Sequence, residues 1–173
     1  MGKQYRRRWD YRSATAAASL DAGLSVITIR GVVTPRVVQM ILEDNALWLA
    51  ATGAAGQVAD YREAALAVTA DEMLGSAMSA HDVDAALASP TALLVNAQHQ
   101  PMFCQYASLM ARQGICRAPF LDVERAAQWA RLHGPAYQEL AAAARRAGSR
   151  PSERHTDAAS LAHQAQRRSS EPI

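Results

Sequence analysis

The chain has 173 residues, enough for one ordinary domain with tails and a buried core; half of it is hydrophobic and much of that half is alanine, so the core is expected to be modest in volume. No apolar run approaches the roughly 20 residues of a membrane-spanning helix, and the basic start Met1-Gly2-Lys3-Gln4-Tyr5-Arg6-Arg7-Arg8 lacks the apolar stretch of a secretory signal. The net charge of +2 is unevenly spread: residues 1–12 carry five basic side chains against Asp10, residues 148–173 carry four basic against three acidic, and residues 13–147 are left at −3. This excludes the basic body of an ordinary nucleic-acid-binding domain.

Residues 1–12 read as a basic N-terminal arm in which Tyr5, Trp9 and Tyr11 are able to dock. Residues 13–20 predict an edge strand, turned by Asp21-Ala22-Gly23 into a strand at 24–30 with apolar groups on both faces, as a central strand has. Thr34-Pro35 predicts a helix start, threonine as N-cap and proline at the first helical position. Val37, Val38, Ile41, Leu42, Trp48 and Leu49 follow at helical spacing, with Trp48 as a core anchor, and Gly53 closes the helix as a left-handed cap.

A short strand is expected at 57–61. Thr69-Ala70-Asp71-Glu72 has the spacing of a capping box, and Ser79-Ala80-His81-Asp82 predicts another short helix. Ser89-Pro90 precedes a buried strand at 91–96, followed by a helix at 101–113 with Phe103, Tyr106, Ala107 and Met110 on one face. Residues 115–121 contain Pro119, which places that strand at a sheet edge because proline brings no ladder donor. Asp122 caps a last helix carrying Trp129, predicted to break near Gly134-Pro135 and resume to Ala147. Beyond Gly148 the composition offers almost nothing to bury, and a flexible tail is expected over 148–173. Strands alternating with helices need crossovers, so the class is α/β, a single domain over 13–147 with a mostly parallel mixed sheet of about five strands and four to five helices.

This order resembles the STAS/SpoIIAA-like family. The resemblance is carried by residues 24–31 with Val32-Val33-Thr34, by Val58-Ala59-Asp60-Tyr61-Arg62, by Ala92-Leu93-Leu94-Val95, and by Ala118-Pro119-Phe120-Leu121-Asp122 leading to Ala126-Ala127-Gln128-Trp129. It covers about residues 12–133. Family members that act as anti-sigma factor antagonists carry a phosphorylatable serine in an Asp-Ser-Ser-Gly-like stretch. The matching stretch here, Val68-Thr69-Ala70-Asp71-Glu72-Met73, has neither serine nor glycine, and Thr69 is its one hydroxyl.

Candidate binding residues are Asp60, Arg62, Thr69 and Asp71, because ligands of open α/β sheets gather beyond the carboxyl ends of strands. The competing reading of Asp60 and Arg62 is a local ion pair. His99 and Cys104, five residues apart, do not share a helix face as a nucleophile and its base would. His81, His133, His155 and His163 form no short metal-ligand pattern, nor do Cys104 and Cys116 form a disulfide framework or zinc spacing. Gly53-Ala54-Ala55-Gly56 lacks the lysine and hydroxyl of a phosphate-binding loop. Arg6-Arg7-Arg8-Trp9 reads as a solvated arm or a contact for phosphate or an acidic membrane surface.

The resemblance and the missing catalytic constellation together predict a cytoplasmic, non-enzymatic regulatory or protein-interaction module. It needs no cofactor or metal, and it binds a protein rather than nucleic acid. The alternative is a sensor or carrier of an apolar small ligand, with a pocket under Met73, Met78, Met102, Phe103 and Met110.

Overall fold

The computed structural model describes residues 5–80 and 87–146. The tail at 148–173 and the helix start at His81-Asp82 lie outside the described residues. The strands are β1 (Arg6–Asp10), β2 (Ala14–Asp21), β3 (Leu24–Val33), β4 (Gly56–Leu66), β5 (Thr91–Leu94) and β6 (Arg117–Phe120). The helices are α1 (Pro35–Thr52), α2 (Ala70–Ser79), α3 (Gln100–Arg112) and α4 (Val123–Arg146). The strands form one sheet in the order β1-β2-β3-β4-β5-β6. The pairs β1–β2 and β2–β3 are antiparallel, and the three pairs from β3 to β6 are parallel. This is the α/β class that the alternating order implies, with one strand more than expected.

Two apolar layers sandwich the sheet. Alternation in β3 sends Ile27 and Ile29 to one face, where they meet Val37, Ile41 and Trp48 of α1, Met73 of α2 and Phe103 and Met110 of α3. Leu24 and Val26 point to the other face, with Val58, Ala92 and Leu94, under Ala126 and Ala130 of α4. A hydrogen-bonded network crosses the larger layer. Asn45 and Gln57 exchange amide bonds at 2.6 and 3.2 Å, and the Thr91 hydroxyl donates to the Gln57 oxygen at 3.1 Å, all buried. It ties α1 to β4 and β5 and leaves no buried amide unpaired there.

The helix ends follow the sequence signals. The Thr34 hydroxyl accepts from the Val37 amide, and Gly53 takes φ 62° to close α1, its amide donating to the Leu49 carbonyl. The Asp122 carboxylate accepts from the Arg125 amide at 2.8 Å to start α4. Pro119 lies in β6, at the sheet's edge.

Three expectations are corrected. The arm at 1–12 is not all arm, because Arg6–Asp10 pairs with β2 and makes β2 an interior strand. Trp9 holds it: the indole is buried and meets Trp48 edge-on, ring centroids 6.4 Å apart. β4 runs five residues past its expected end at 61, because β3 is long enough to pair with it as far as Val33↔Leu66. The helix does not break at Gly134-Pro135. Pro135 lies inside α4, where it removes a single ladder bond.

Candidate functional site

The geometry around Asp60 comes from a register shift. β3 and β4 pair from Leu24↔Gly56 to Thr28↔Asp60 and resume at Arg30↔Glu63, so Tyr61 and Arg62 together face Ile29 alone. This is a bulge, which bends a strand and re-aims its side chains. Tyr61 goes into the larger core, its ring tilted against Phe103 with centroids 4.9 Å apart; its burial holds the phenol pKa above the ordinary range. The Arg62 amide turns back to the Asp60 Oδ1 at 3.1 Å. The Arg62 guanidinium completes the pair, Nε to Oδ1 at 3.0 Å and Nη2 to Oδ2 at 2.8 Å.

Both oxygens of Asp60 are thus engaged by its own neighbour two residues on, which is the ion-paired alternative. Hydrogen bonding to Asp60 pushes the Arg62 pKa further up. The Asp60 side chain is 12% exposed and that of Arg62 is 46% exposed, so the carboxylate is sheltered and the guanidinium is what a partner meets. The Arg62 carbonyl accepts from Asn96 Nδ2 at 3.4 Å.

Asp60 is not the end of its strand. It is the last β4 residue paired with β5, opposite Leu94, while β4 continues to Leu66 against β3 alone. Past Asp60, the edge of β4 that faces β5 therefore has no partner strand among the described residues. Arg62, Glu63 and Ala65 are exposed there, as is Val32 on the paired end of β3.

Thr69 and Asp71 sit just beyond, at the start of α2. Both halves of the capping box form: the Thr69 hydroxyl accepts from the Glu72 amide at 3.2 Å, and Glu72 Oε2 accepts from the Thr69 amide at 2.8 Å. The bond from the Thr69 amide, and after it the Thr69 hydroxyl donating to Glu72 Oε2 at 3.0 Å, hold the Glu72 carboxyl below its usual range. Gln105 of α3 donates weakly to Asp71 at 3.5 Å. Among the described residues no hydrogen bond or ion pair joins Asp60 and Arg62 to Thr69 and Asp71, so the two pairs share one end of the sheet without forming a single cluster. Thr69→Ala should lower unfolding free energy by about 0.5–2 kcal/mol, with Thr69→Ser nearly neutral, as read from urea titration. The Glu72 contribution is complete above its unfolded pKa and is lost as pH falls through the depressed folded value, so the wild type's advantage over Thr69→Ala should shrink in acid.

The other candidates separate. His99 occupies the N-cap position of α3 without a side-chain cap bond, its place taken by Asn96, whose Oδ1 accepts the His99 amide at 2.9 Å. Cys104 is exposed on α3 and Cys116 is a free, half-buried thiol whose pKa is pushed up by burial. Met73, Phe103 and Met110 are fully buried in the larger core while Met78 is 45% exposed, so the five expected lining residues do not surround one pocket. His133 lies against Trp129, centroids 4.5 Å apart. Among the described residues no group of three or more histidines, cysteines and carboxylates is placed to hold a metal ion, and no helix is long and apolar enough to cross a membrane.

A second polar surface escaped the sequence reading. Helix α4 covers the sheet over β4, β5, β6 and the start of β3, and no described element covers the same face over β1, β2 and the rest of β3. Its floor is made of small side chains, Thr15, Ala17, Ser19 and Thr28, and Arg6, Arg8 and Arg30 rise around it, lining shallow hollows of about 170 and 430 Å³. Arg8 pairs with Asp10 at 2.9 Å and Arg30 with Glu63 at 2.8 Å, all four side chains more than 60% exposed. Exposed pairs of this kind are screened by solvent and add little to stability. Three arginines assigned to an arm thus belong to the folded body. Arg-Arg-Arg-Trp-Asp has one apolar position and no alternation, so no local signal marks it as a strand.

No family profile matches the chain, and no curated protein matches it. Among solved structures it is similar to an anti-sigma factor antagonist from Mycobacterium paratuberculosis, 15% identical, with a TM-score of 0.45, over 69% of this chain and 95% of that one.

Proposed function

We propose that the chain is a non-enzymatic regulatory or protein-interaction module whose contact surface is the carboxyl end of β4 together with the start of α2. The observation that supports this reading most is the overrun of β4 beyond β5, which leaves the edge from Glu63 to Leu66 without a partner strand among the described residues, with the Arg62 and Glu63 side chains exposed beside it. A backbone edge with fixed charges beside it suits a polypeptide, which satisfies main-chain donors and acceptors that a small ligand leaves bare. The chemistry of the site points the same way. General acid–base work needs a carboxylate free to take a proton, and both oxygens of Asp60 are occupied by Arg62. Thr69 and Asp71 take the role of a rim beside that edge.

The test is affinity capture from native cells with the wild type and the Arg62→Glu variant, alongside a hydrolase and transferase screen of the purified chain. A stoichiometric protein retained by the wild type and lost on Arg62→Glu, with folding intact by circular dichroism, is the expected result. Activity that persists through stringent purification and falls about 10²–10⁴-fold in Asp60→Asn or Cys104→Ala overturns the reading.

A further inference from the structure

The first strand offers a second edge, of different chemistry and three strands away from the β4 surface. In an antiparallel pair, alternate residues exchange both backbone bonds with the partner and the residues between them point theirs outward. The Leu20 amide donates to the Tyr5 carbonyl and the Tyr11 amide to the Ala14 carbonyl. With the register Arg7↔Ala18 and Trp9↔Ala16, the odd residues of β1 face β2. The N–H and C=O groups of Arg6, Arg8 and Asp10 therefore face solvent along the sheet's outer edge.

Side chains follow the same parity. Trp9 and Arg7 lie on the α1–α3 side, the Arg7 guanidinium 5.5 Å from the Trp9 ring, with Tyr5 47% exposed on that side. Arg6 and Arg8 lie on the open face, above the hollow floored by Ala17 and Thr28. Of these arginines, Arg8 has only the exposed partner Asp10, and Arg6 has no ion pair among the described residues. Three arginines against one aspartate also oppose pairing of this edge with a second copy of itself, since like charges would stand opposite one another.

We propose that β1 binds an extended acidic peptide segment of a partner protein, which adds to the sheet as a seventh strand. Its main chain bonds to Arg6, Arg8 and Asp10. Its acidic side chains fall beside Arg6 and Arg8 on the open face, and its alternate apolar side chains fall beside Tyr5 and the rim of Trp9. The recognised pattern is an alternation of acidic and apolar residues. A DNA backbone matches the arginines but supplies no donors for the outward carbonyls.

The probe is a blocked, fluorescent peptide of about seven residues alternating glutamate with valine, read by anisotropy and by amide shifts of the full chain in NMR. Expected are saturable binding weakened by salt and shifts centred on Arg6, Arg8 and Asp10. The same peptide with lysine for glutamate should not bind. Arg8→Ala removes the charge and keeps the N–H; Arg8→Pro removes both and is compatible with an edge position whose N–H faces solvent. Arg8→Pro should bind about ten-fold more weakly than Arg8→Ala. Where Arg8→Pro fails to fold, the peptide N-methylated at the residues facing β1 replaces it, with the same expected loss. Equal binding by the two variants, or by the methylated and unmethylated peptides, overturns strand addition. So do shifts centred elsewhere, or binding of a thymidine oligonucleotide at the peptide's affinity with no loss in Arg8→Pro. None of these outcomes bears on the Arg62 surface, which Arg62→Glu tests separately.

Discussion

Replacing Trp9 with alanine should lower the unfolding free energy by about 3–5 kcal/mol in urea titration, the range for deleting a buried aromatic side chain. Were residues 1–12 a solvated arm, the same change would cost nearly nothing. The large value follows from where the indole lies. It is 8% exposed, packed in the core that includes Ala16 and Ala18 of β2, and meets Trp48 edge-on. Trp48 is itself fixed by a buried 2.9 Å bond from its Nε1 to the Ser25 hydroxyl. Removing Trp9 leaves a cavity against a partner that cannot follow it, and β1 has no other buried side chain to hold it. Trp9→Phe should cost much less, because the Trp9 Nε1 is buried without a hydrogen-bond partner and phenylalanine has no such group to leave unpaired. A midpoint unmoved by Trp9→Ala would show that β1 is not docked, and would remove the basis for strand addition with it.

The reach of the sequence differs by element for physical reasons. Signals that are local survive: Thr34-Pro35 with Gly53, the box from Thr69 to Glu72, Asp122 before α4, and Pro119 on an edge each act within a turn or a single strand. Signals that depend on a distant partner do not. β1 is charged at four of five positions, and only Ala16 and Trp48, remote in sequence, make Trp9 an anchor. The extension of β4 over Arg62-Glu63-Ala64-Ala65-Leu66 has weak strand propensity and exists because β3 supplies a ladder to pair with. At the site, the choice of Asp60 and Arg62 was legible as two residues on one strand. Their ion pair was legible too, as the competing reading; the bulge that turns the Arg62 amide back onto Asp60 was not, since it depends on the register with β3. The open arginine face was hidden for a similar reason. It is defined by where α4 stops covering the sheet, which no local pattern states.

The helix that sets that boundary rests on two glycines, and this yields the second large effect. A Cβ on Gly56 would collide with the Ala130 carbonyl oxygen and come within 2.8 Å of its carbon, and a Cβ on Gly134 would collide with the Ala55 carbonyl and come within 2.8 Å of the Gly56 Cα. Every one of these obstacles is backbone, so no side-chain rotation relieves them, and α4 has to lift from the start of β4. Gly56→Ala and Gly134→Ala should each destabilise by about 1–3 kcal/mol, the range for overpacking a filled interior. The two share one contact between α4 and residues 55–56. Once the first substitution has opened that gap, the second meets less resistance, so the double variant should cost less than the sum of the singles. Gly75 is the control. It lies inside α2 with nothing within 4 Å of its would-be Cβ, and Gly75→Ala should stabilise by about 0.5–1 kcal/mol through helix propensity alone. Thermal and urea unfolding of the four variants measures all of this. Strict additivity, or a Gly134→Ala as harmless as Gly75→Ala, would mean that α4 does not press on the sheet, and the limit of the open face would have to be drawn elsewhere.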